Sequence, residues 1–285
     1  SRGLNPSDLA MHVVLPELDG RILAGAISFK ADTERDDTLE FRGLINRPEP
    51  NRVEQVTDRI ASFLALKRTR RRERKLAVLI PDYPNAPGRT GYAVGLDVPQ
   101  SVLEMLHDLA AAGYEVGTIP ATARALLDIL ERRSAEFSVS GYETHASQIP
   151  EVAKEKLSAA WGEPSEDEDV TDGAFRFRAA TFGNVTVALA PDRGRSSDRR
   201  ADYHDPVAVP RHALVAFGLW LRKVLGCHAL VHVGAHGTLE WLPGKAVALS
   251  AECFPEIVTG SLPVVYPFIV SNPGEAAVAK RRIAA

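Results

Sequence analysis

The stretch "KLAVLIPDY" (75–83) decides the fold, because it is an apolar run without an alternating polar face. Such a run is typical of a strand that is buried on both faces of a parallel sheet. A polar loop follows, and then come a helical pattern from Pro99 to about Ala112, a strand-like segment "GYEVGTIP" (113–120) and a helical pattern "ATARALLDILERR" (121–133). This β–loop–α–β–α order predicts an α/β fold that is doubly wound, with mostly parallel strands and helices on both faces.

The sequence pattern divides the chain into three predicted regions. Residues 1–74 are predicted to form an N-terminal β-unit plus an amphipathic helix, as part of a larger domain. In that region "MHVVLPELDGRILAGAISFK" (11–30) holds two strand-like runs around an Asp-Gly turn signal, and residues 49–74 carry apolar side chains at helical spacing. Residues 75–160 form a first α/β unit and residues 161–285 a second one. The polar, acidic stretch 134–172 is predicted to form a helix and a mobile excursion.

The second unit repeats the strand and helix signals. Two strand-like runs flank Gly183-Asn184, and they are followed by a helix "RHALVAFGLWLRKVLG" (211–226), a strand "HALVHV" (228–233) and a further apolar stretch "LPVVYPFIV" (262–270). The strands end in long, polar, glycine-containing loops. Because ligands of open α/β sheets bind outside the carboxyl ends of the strands, we expect these loops to line one cleft.

Composition excludes several classes of protein. The 285 residues include 34 basic and 37 acidic side chains, which gives a formal net charge of −3. The overall charge therefore does not favour binding to nucleic acid or to an anionic membrane. Two cysteines cannot make a disulfide framework, and no apolar segment is long enough for a signal or membrane helix. A reducing, cytoplasmic location is therefore expected. The absence of an initiator Met and the helical pattern at the end predict a piece of a longer polypeptide.

The segment "VHVGAHGTLEWLPGK" (231–245) carries the main candidate site, because His232, His236 and Glu240 recur at a spacing of four. Gly234 and Gly237 argue against one continuous helix, and the helical zinc-protease motif requires a Glu where Val233 stands. We expect a strand that carries His232 and breaks at Gly234, so that the three side chains converge on a metal. The alternative is that His232 is a core residue and only His236 reaches the cleft.

Two further loops carry polar side chains. "YHDPVAVPRH" (203–212) adds His204 and Asp205, although Asp205 is equally compatible with a helix cap. "PDRGRSSDRR" (191–200) contains Arg193 and Arg195, which suit carboxylates because a guanidinium binds them with two hydrogen bonds; a solvated loop is the alternative. No phosphate-binding loop motif precedes a Lys-Ser or Lys-Thr pair, so direct ATP hydrolysis is not expected.

Taken together, "YHDP", "LWLRKVLG", "VHVGAHGTLEWLPGK" and "NPGEAAVAKRR" resemble the large subunit of aerobic cobaltochelatase and, more distantly, the H subunit of magnesium chelatase. The resemblance implies a subunit that binds a tetrapyrrole and a metal while separate AAA+ ATPase subunits, of the CobS and CobT type, hydrolyse ATP. For the cobalt branch it implies insertion of Co²⁺ into hydrogenobyrinic acid a,c-diamide in cobalamin biosynthesis. "HGTLEWLPGK" favours cobalt over magnesium.

The resemblance also suggests roles for the candidate residues. His232 and His236 would deliver the metal, and Glu240 would bind it or accept a ring proton. The substrate-binding set would be Arg193, Arg195, His204, Asp205, Trp241 and Lys245. The alternatives are a porphyrin-binding subunit of the magnesium chelatase H type, a zinc-dependent hydrolase, and a non-catalytic tetrapyrrole-binding scaffold. Without its ATPase partners the chain is expected to be inactive.

Overall fold

A computed structural model describes residues 5–34, 38, 40–81, 91–93, 95–132, 134–195, 205–234, 241–267 and 273–282. The helices are α1 (Pro6–Leu9), α2 (Leu15–Leu18), α3 (Pro50–Arg68), α4 (Val98–Ala111), α5 (Ala123–Leu130), α6 (Val139–Ala146), α7 (Glu151–Trp161), α8 (His212–Leu219), α9 (Phe254–Thr259) and α10 (Pro273–Arg282). A π-helical turn, Ala10–Val14, joins α1 to α2, and another, Trp220–Val224, extends α8. Short 3₁₀ turns lie at Arg71–Glu73 and Pro164–Glu166.

The strands are β1 (Ser28–Asp32), β2 (Leu44–Pro48), β3 (Leu76–Ile80), β4 (Tyr92–Ala93), β5 (Leu96–Asp97), β6 (Ala135–Ser138), β7 (Val170–Thr171), β8 (Ala174–Phe177), β9 (Ala179–Phe182), β10 (Val185–Leu189), β11 (Ala229–His232) and β12 (Val264–Val265). Five of them form the main sheet in the order β12-β11-β3-β10-β9. All neighbouring pairs are parallel except β9 and β10, which form a hairpin. The predicted α/β fold with a mostly parallel sheet is confirmed.

The central strand β3 explains why the sheet needs helices on both faces. Val78 and Ile80 are buried in a core that includes residues of α4 and α5, whereas Ala77 and Leu79 are buried in a second core with residues of α8 and α9. Successive side chains of a strand point to opposite faces, so an unbroken apolar run supplies both cores. Strands from residues 75–160 and from 161–285 share this sheet, and the predicted division between two α/β units stays a prediction.

Helices α8 and α9 pack unusually closely. Every residue from His212 to Leu221 is buried, so α8 is apolar around its circumference rather than along a stripe. A Cβ at Gly218 would overlap the carbonyl oxygen of Val258 in α9. The glycine therefore sets the distance between the two helices and seats them under one face of the sheet.

The first predicted strand near the N-terminus was wrong. Residues 6–18 are helical because Asn5 caps the chain, its side chain accepting a hydrogen bond from the Asp8 amide at 2.8 Å, and Pro6 occupies the first turn. Gly20, with φ 75°, lies in the turn that ends this segment. The β-unit consists instead of β1 paired with β2, and the predicted amphipathic helix is confirmed as α3.

The segment 113–120, expected to be a strand, is an irregular connection. It packs against the β9–β10 hairpin: the amide of Asn184 donates to the Glu115 carbonyl at 2.8 Å, and a Cβ at Gly117 would lie 2.9 Å from the amide nitrogen of Gly183. That close crossing occupies the backbone groups that a ladder would need.

The stretch 134–172 also differs from its prediction, since it forms β6, α6, α7 and β7 rather than a helix and a loose excursion. Asp167 anchors its acidic part: its carboxylate accepts hydrogen bonds from the buried Arg211 guanidinium and from the Ala213 amide at the start of α8. Buried charges are retained only when they are paired in this way. Within the described residues, no helix has the length and apolar character needed to cross a membrane.

Candidate functional site

The carboxyl ends of the four parallel strands meet at one edge of the sheet. From β3 the chain proceeds to β10 on one side, and it then returns to β11 on the other side of β3. The strand order therefore reverses between β3 and β11. Ligands of open α/β proteins bind in the crevice that forms at such a switch point, so the candidate site lies at the ends of these two strands.

His232 is the last residue of β11 and stands at this switch point. It pairs with Leu79 of β3, and only 1% of its surface is exposed. Its ring stacks on Tyr266, which follows β12, with ring centroids 4.6 Å apart and planes inclined by 18°. The strand ends here, two residues before Gly234, as the sequence predicted. The imidazole is thus buried at the carboxyl end of β11, as the alternative of a core histidine predicted.

Three predicted site residues, His204, His236 and Glu240, lie outside the described residues, and their roles stay predictions. In the parts of the chain that the structure describes, no three His, Cys, Asp or Glu side chains are grouped so that they could hold a metal ion.

The segment that follows, residues 241–249, is held by three arginines from distant parts of the chain. Arg193 donates to the Trp241 carbonyl at 3.1 Å. Arg282 of α10 donates to the carbonyls of Leu242 at 2.6 Å and Gly244 at 3.2 Å. Arg52 of α3 donates to the carbonyls of Ala248 and Leu249. We call residues 241–249 the anchor segment, because these contacts tie it to other parts of the chain.

Packing reinforces the anchor segment. Leu242 is fully buried, and the Pro243 carbonyl accepts a hydrogen bond from the Phe254 amide at 2.9 Å. Gly244 adopts φ 159°, and a Cβ there would lie 2.8 Å from the Cβ of Cys253. The "LPG" sequence therefore suits the close approach of this loop to the start of α9.

Arg193 also organises a second loop. Its guanidinium donates to the carbonyls of Asp205 at 2.7 Å and Ala208 at 2.9 Å, and only 3% of the residue is exposed. A single buried side chain thus joins the loop after β10 to the segments that contain Asp205 and Trp241. The predicted grip of Arg193 on substrate carboxylates stays a prediction, but its contacts indicate a positioning role.

The other predicted substrate-binding residues differ in exposure. Arg195 and Lys245 are exposed, and Trp241 is half-buried. The Asp205 carboxylate accepts a hydrogen bond from the Val207 amide at 2.9 Å, which is a local turn contact. The helix-cap alternative was wrong, because α8 begins only at His212 and its N-cap residue is Arg211. Arg195 and Lys245 therefore offer cationic side chains in solvent.

Sequence reasoning missed Arg52, Arg282 and Tyr266. Arg52 and Arg282 lie on helices among other polar residues. Such a pattern is typical of a solvent-exposed helix face, so the sequence did not indicate that these two arginines are buried. Tyr266 does carry a signal, because it lies in the apolar, strand-like stretch "LPVVYPFIV" (262–270), and that strand is parallel to β11. Pairing of β11 with β12, once known, places it beside His232.

A buried polar network fixes the start of α8 near the loop 205–210. The Tyr142 hydroxyl and His212 Nδ1 lie 2.8 Å apart, and His212 Nε2 lies 3.2 Å from the Gly162 carbonyl. Burial lowers the pKa of His212, although the Gly162 carbonyl and Asp167 oppose that shift. The neutral imidazole then accepts a hydrogen bond from Tyr142 at Nδ1 and donates one from Nε2.

These features define an α/β ligand-binding protein whose candidate site is built from loops at the switch point of a parallel sheet. A family model described as CobN/Magnesium Chelatase matches residues 1–285. The chain therefore belongs to the CobN/magnesium chelatase family.

Individual relatives agree with this assignment. The chain is 42% identical to the aerobic cobaltochelatase subunit CobN of Sinorhizobium sp, over 100% of this chain and 23% of the relative. It is 32% identical to the magnesium-chelatase H subunit of Rhodobacter capsulatus, over 98% of this chain and 25% of the relative. The catalytic subunit of cobaltochelatase from Mycobacterium tuberculosis superposes with a TM-score of 0.86 at 34% identity, over 99% of this chain and 25% of that one. The chain thus spans about a quarter of the length of these relatives.

Proposed function

We propose that this chain is the part of a cobaltochelatase that holds the tetrapyrrole and receives the metal, and that it works within a complex driven by AAA+ ATPase subunits. The reaction is insertion of Co²⁺ into hydrogenobyrinic acid a,c-diamide, in cobalamin biosynthesis. Membership of the CobN/magnesium chelatase family supports metal chelation as the reaction class.

One observation carries the proposal: His232, the first residue of the His232–His236–Glu240 motif, ends β11 at the switch point of the sheet. The arginine-held anchor segment begins immediately after the motif. The chain is therefore held at His232 and again from Trp241 onward, which suits a motif that must place ligands within a narrow tolerance.

The chemistry requires three events. Co²⁺ must lose water ligands, the corrin must release its inner N–H proton, and four ring nitrogens must then bind the metal. Imidazole and carboxylate side chains suit Co²⁺ as transient ligands. We assign metal delivery to His232 and His236, and assign to Glu240 either metal binding or acceptance of one ring proton.

Substrate binding draws on the exposed cations and the half-buried Trp241. Arg195 and Lys245 would pair with peripheral carboxylates of the tetrapyrrole, and the indole of Trp241 would pack on the ring. His204 and Asp205 complete the proposed substrate-binding set. Arg193 contributes by holding the loops on which Asp205 and Trp241 lie.

A titration of the full-length protein tests the proposal. Hydrogenobyrinic acid a,c-diamide and protoporphyrin would each be titrated first, and insertion of Co²⁺ or Mg²⁺ would then be followed by absorbance with ATP and the AAA+ subunits present. We expect corrinoid binding without ATP and cobalt insertion only in the complete mixture. Preference for protoporphyrin and Mg²⁺ would favour a magnesium chelatase subunit, and zinc-dependent amide hydrolysis would contradict chelation.

A further inference from the structure

Helix α3 turns the buried Arg52 and Arg59 and the partly buried Val56 and Leu66 toward the rest of the chain, and it leaves a second apolar stripe exposed on its flank. Val53, Ile60 and Leu64 recur at positions i, i+7 and i+11, yet they are 39%, 51% and 43% exposed. On the inward side, Arg52 and Arg59 are buried. An amphipathic helix ordinarily buries its apolar stripe, so this orientation indicates a partner on the outer side.

Neighbouring elements extend the apolar surface. The Glu49 amide before α3 donates to the Ile27 carbonyl, and the Arg52 guanidinium lies 5.9 Å from the centre of the Phe29 ring, which places residues 27–29 beside the helix. The β1–β2 hairpin is largely exposed, and an isolated two-stranded hairpin is marginal in water. The exposed apolar residues on this flank of α3 and on the hairpin face that holds Phe29 are Ile27, Phe29, Ile45, Val53, Ile60 and Leu64, and we call this set the α3 face.

We propose that the α3 face is a docking surface for another segment of the same polypeptide, outside these 285 residues. The relatives that match this chain are about four times as long, because the chain covers 23–25% of each. A segment linked in the same chain is present at high effective concentration. A cluster of exposed apolar side chains is typical of a surface that contacts other protein.

The inward side of α3 supports an interface that persists. Arg59 pairs with Glu256 of α9 in the interior, at 2.5 Å, and Arg52 holds the end of the anchor segment. Burial raises the pKa of Glu256, and the Arg59 charge opposes that shift. The helix is therefore fixed to the α/β core by buried polar contacts, which leaves its apolar stripe free to receive a second layer. This inference does not depend on the metal chemistry.

Substitution in the full-length protein tests the docking surface. We expect Ile60→Asp to lower the melting temperature by several degrees and to accelerate amide exchange across residues 53–64. Val152→Asp is the matched control, because Val152 is 46% exposed on α7, and it should change neither quantity. The proposal would be overturned if the two variants had the same melting temperature and the same exchange rates, and if residues 53–64 already exchanged rapidly in the wild type.

A photo-crosslinking residue at position 60 identifies the occupant without a destabilising charge. We expect a crosslink to a peptide outside residues 1–285 of the same molecule, with no heavier band on a denaturing gel. A heavier band would identify a second copy or a partner subunit as the occupant and would overturn the proposal. A crosslink within residues 1–285, or none at all, would also count against it.

Discussion

Replacement of Arg193 by Met separates a positioning role from a substrate-binding role. The change removes hydrogen bonds to the carbonyls of Trp241, Asp205 and Ala208, at 3.1, 2.7 and 2.9 Å. A hydrogen bond to a charged group contributes about 1.5–3 kcal/mol, but three bonds from one side chain break together, so we take about 3 kcal/mol for the set. Because about 1.4 kcal/mol is a factor of ten, local opening should become about 100-fold more frequent.

Hydrogen exchange in the full-length protein measures that opening. We expect Arg193→Met to accelerate exchange across residues 205–210 and 241–245, and Arg124→Met, a change at an arginine on α5 whose side chain is 85% exposed, to leave both regions unchanged. The affinity ratio between a tetrapyrrole with free carboxylates and its ester should be the same in wild type and Arg193→Met. Unchanged exchange together with a ratio that falls toward one would refute the positioning role and show that Arg193 grips carboxylates.

Three other changes have expected outcomes. Glu240→Gln should slow cobalt insertion by roughly 100- to 10,000-fold, the usual effect of losing a general base, with tetrapyrrole affinity nearly unchanged; near wild-type insertion by a folded variant would exclude Glu240 from the chemistry. Burial lowers the pKa of His212 in the folded protein below its ordinary value of 6.5, so the free energy of unfolding should be highest above that pH and fall as the pH drops below it. The melting temperatures of wild type and His212→Gln, measured against pH, should converge in acid, and a constant difference between them would contradict this. Gly218→Ala should destabilise the protein because its Cβ would overlap the Val258 carbonyl, and an unchanged melting temperature would show that α8 and α9 separate easily.

The sheet was predictable because its signals are local. An unbroken apolar run such as Leu76–Ile80 has few alternatives to a doubly covered strand, and Gly183-Asn184 marks the β9–β10 hairpin. The two wrong strand predictions also came from relying on local signals. Residues 11–18 and 113–120 are apolar in a strand-like manner, but a helix cap at Asn5 and a crossing at Gly183 decide their structures, and neither contact is visible in a short window of sequence.

The position of His232 was predictable, but the contacts that hold the anchor segment were not. The placement of His232 at the end of a strand followed from "HALVHV" running into a glycine. The support from Arg52 and Arg282 could not be predicted, because each contacts the anchor segment from a helix 38 or more residues away in sequence. Likewise, the apolar spacing in α3 predicted a helix correctly, but the orientation of that helix depends on the buried partner of Arg59.

The rate of cobalt insertion by His232→Phe, in the full-length protein with saturating corrinoid, ATP and the AAA+ subunits, tests the central claim most directly. Phenylalanine preserves a ring that can stack on Tyr266 but removes the nitrogen ligands. The account predicts that insertion falls by at least about 100-fold while the melting temperature and corrinoid affinity stay close to those of the wild type. His107→Phe, at an exposed histidine on α4, is the control and should insert cobalt normally. Normal insertion by a stably folded His232→Phe would contradict the assignment of the metal site to the switch point of the sheet.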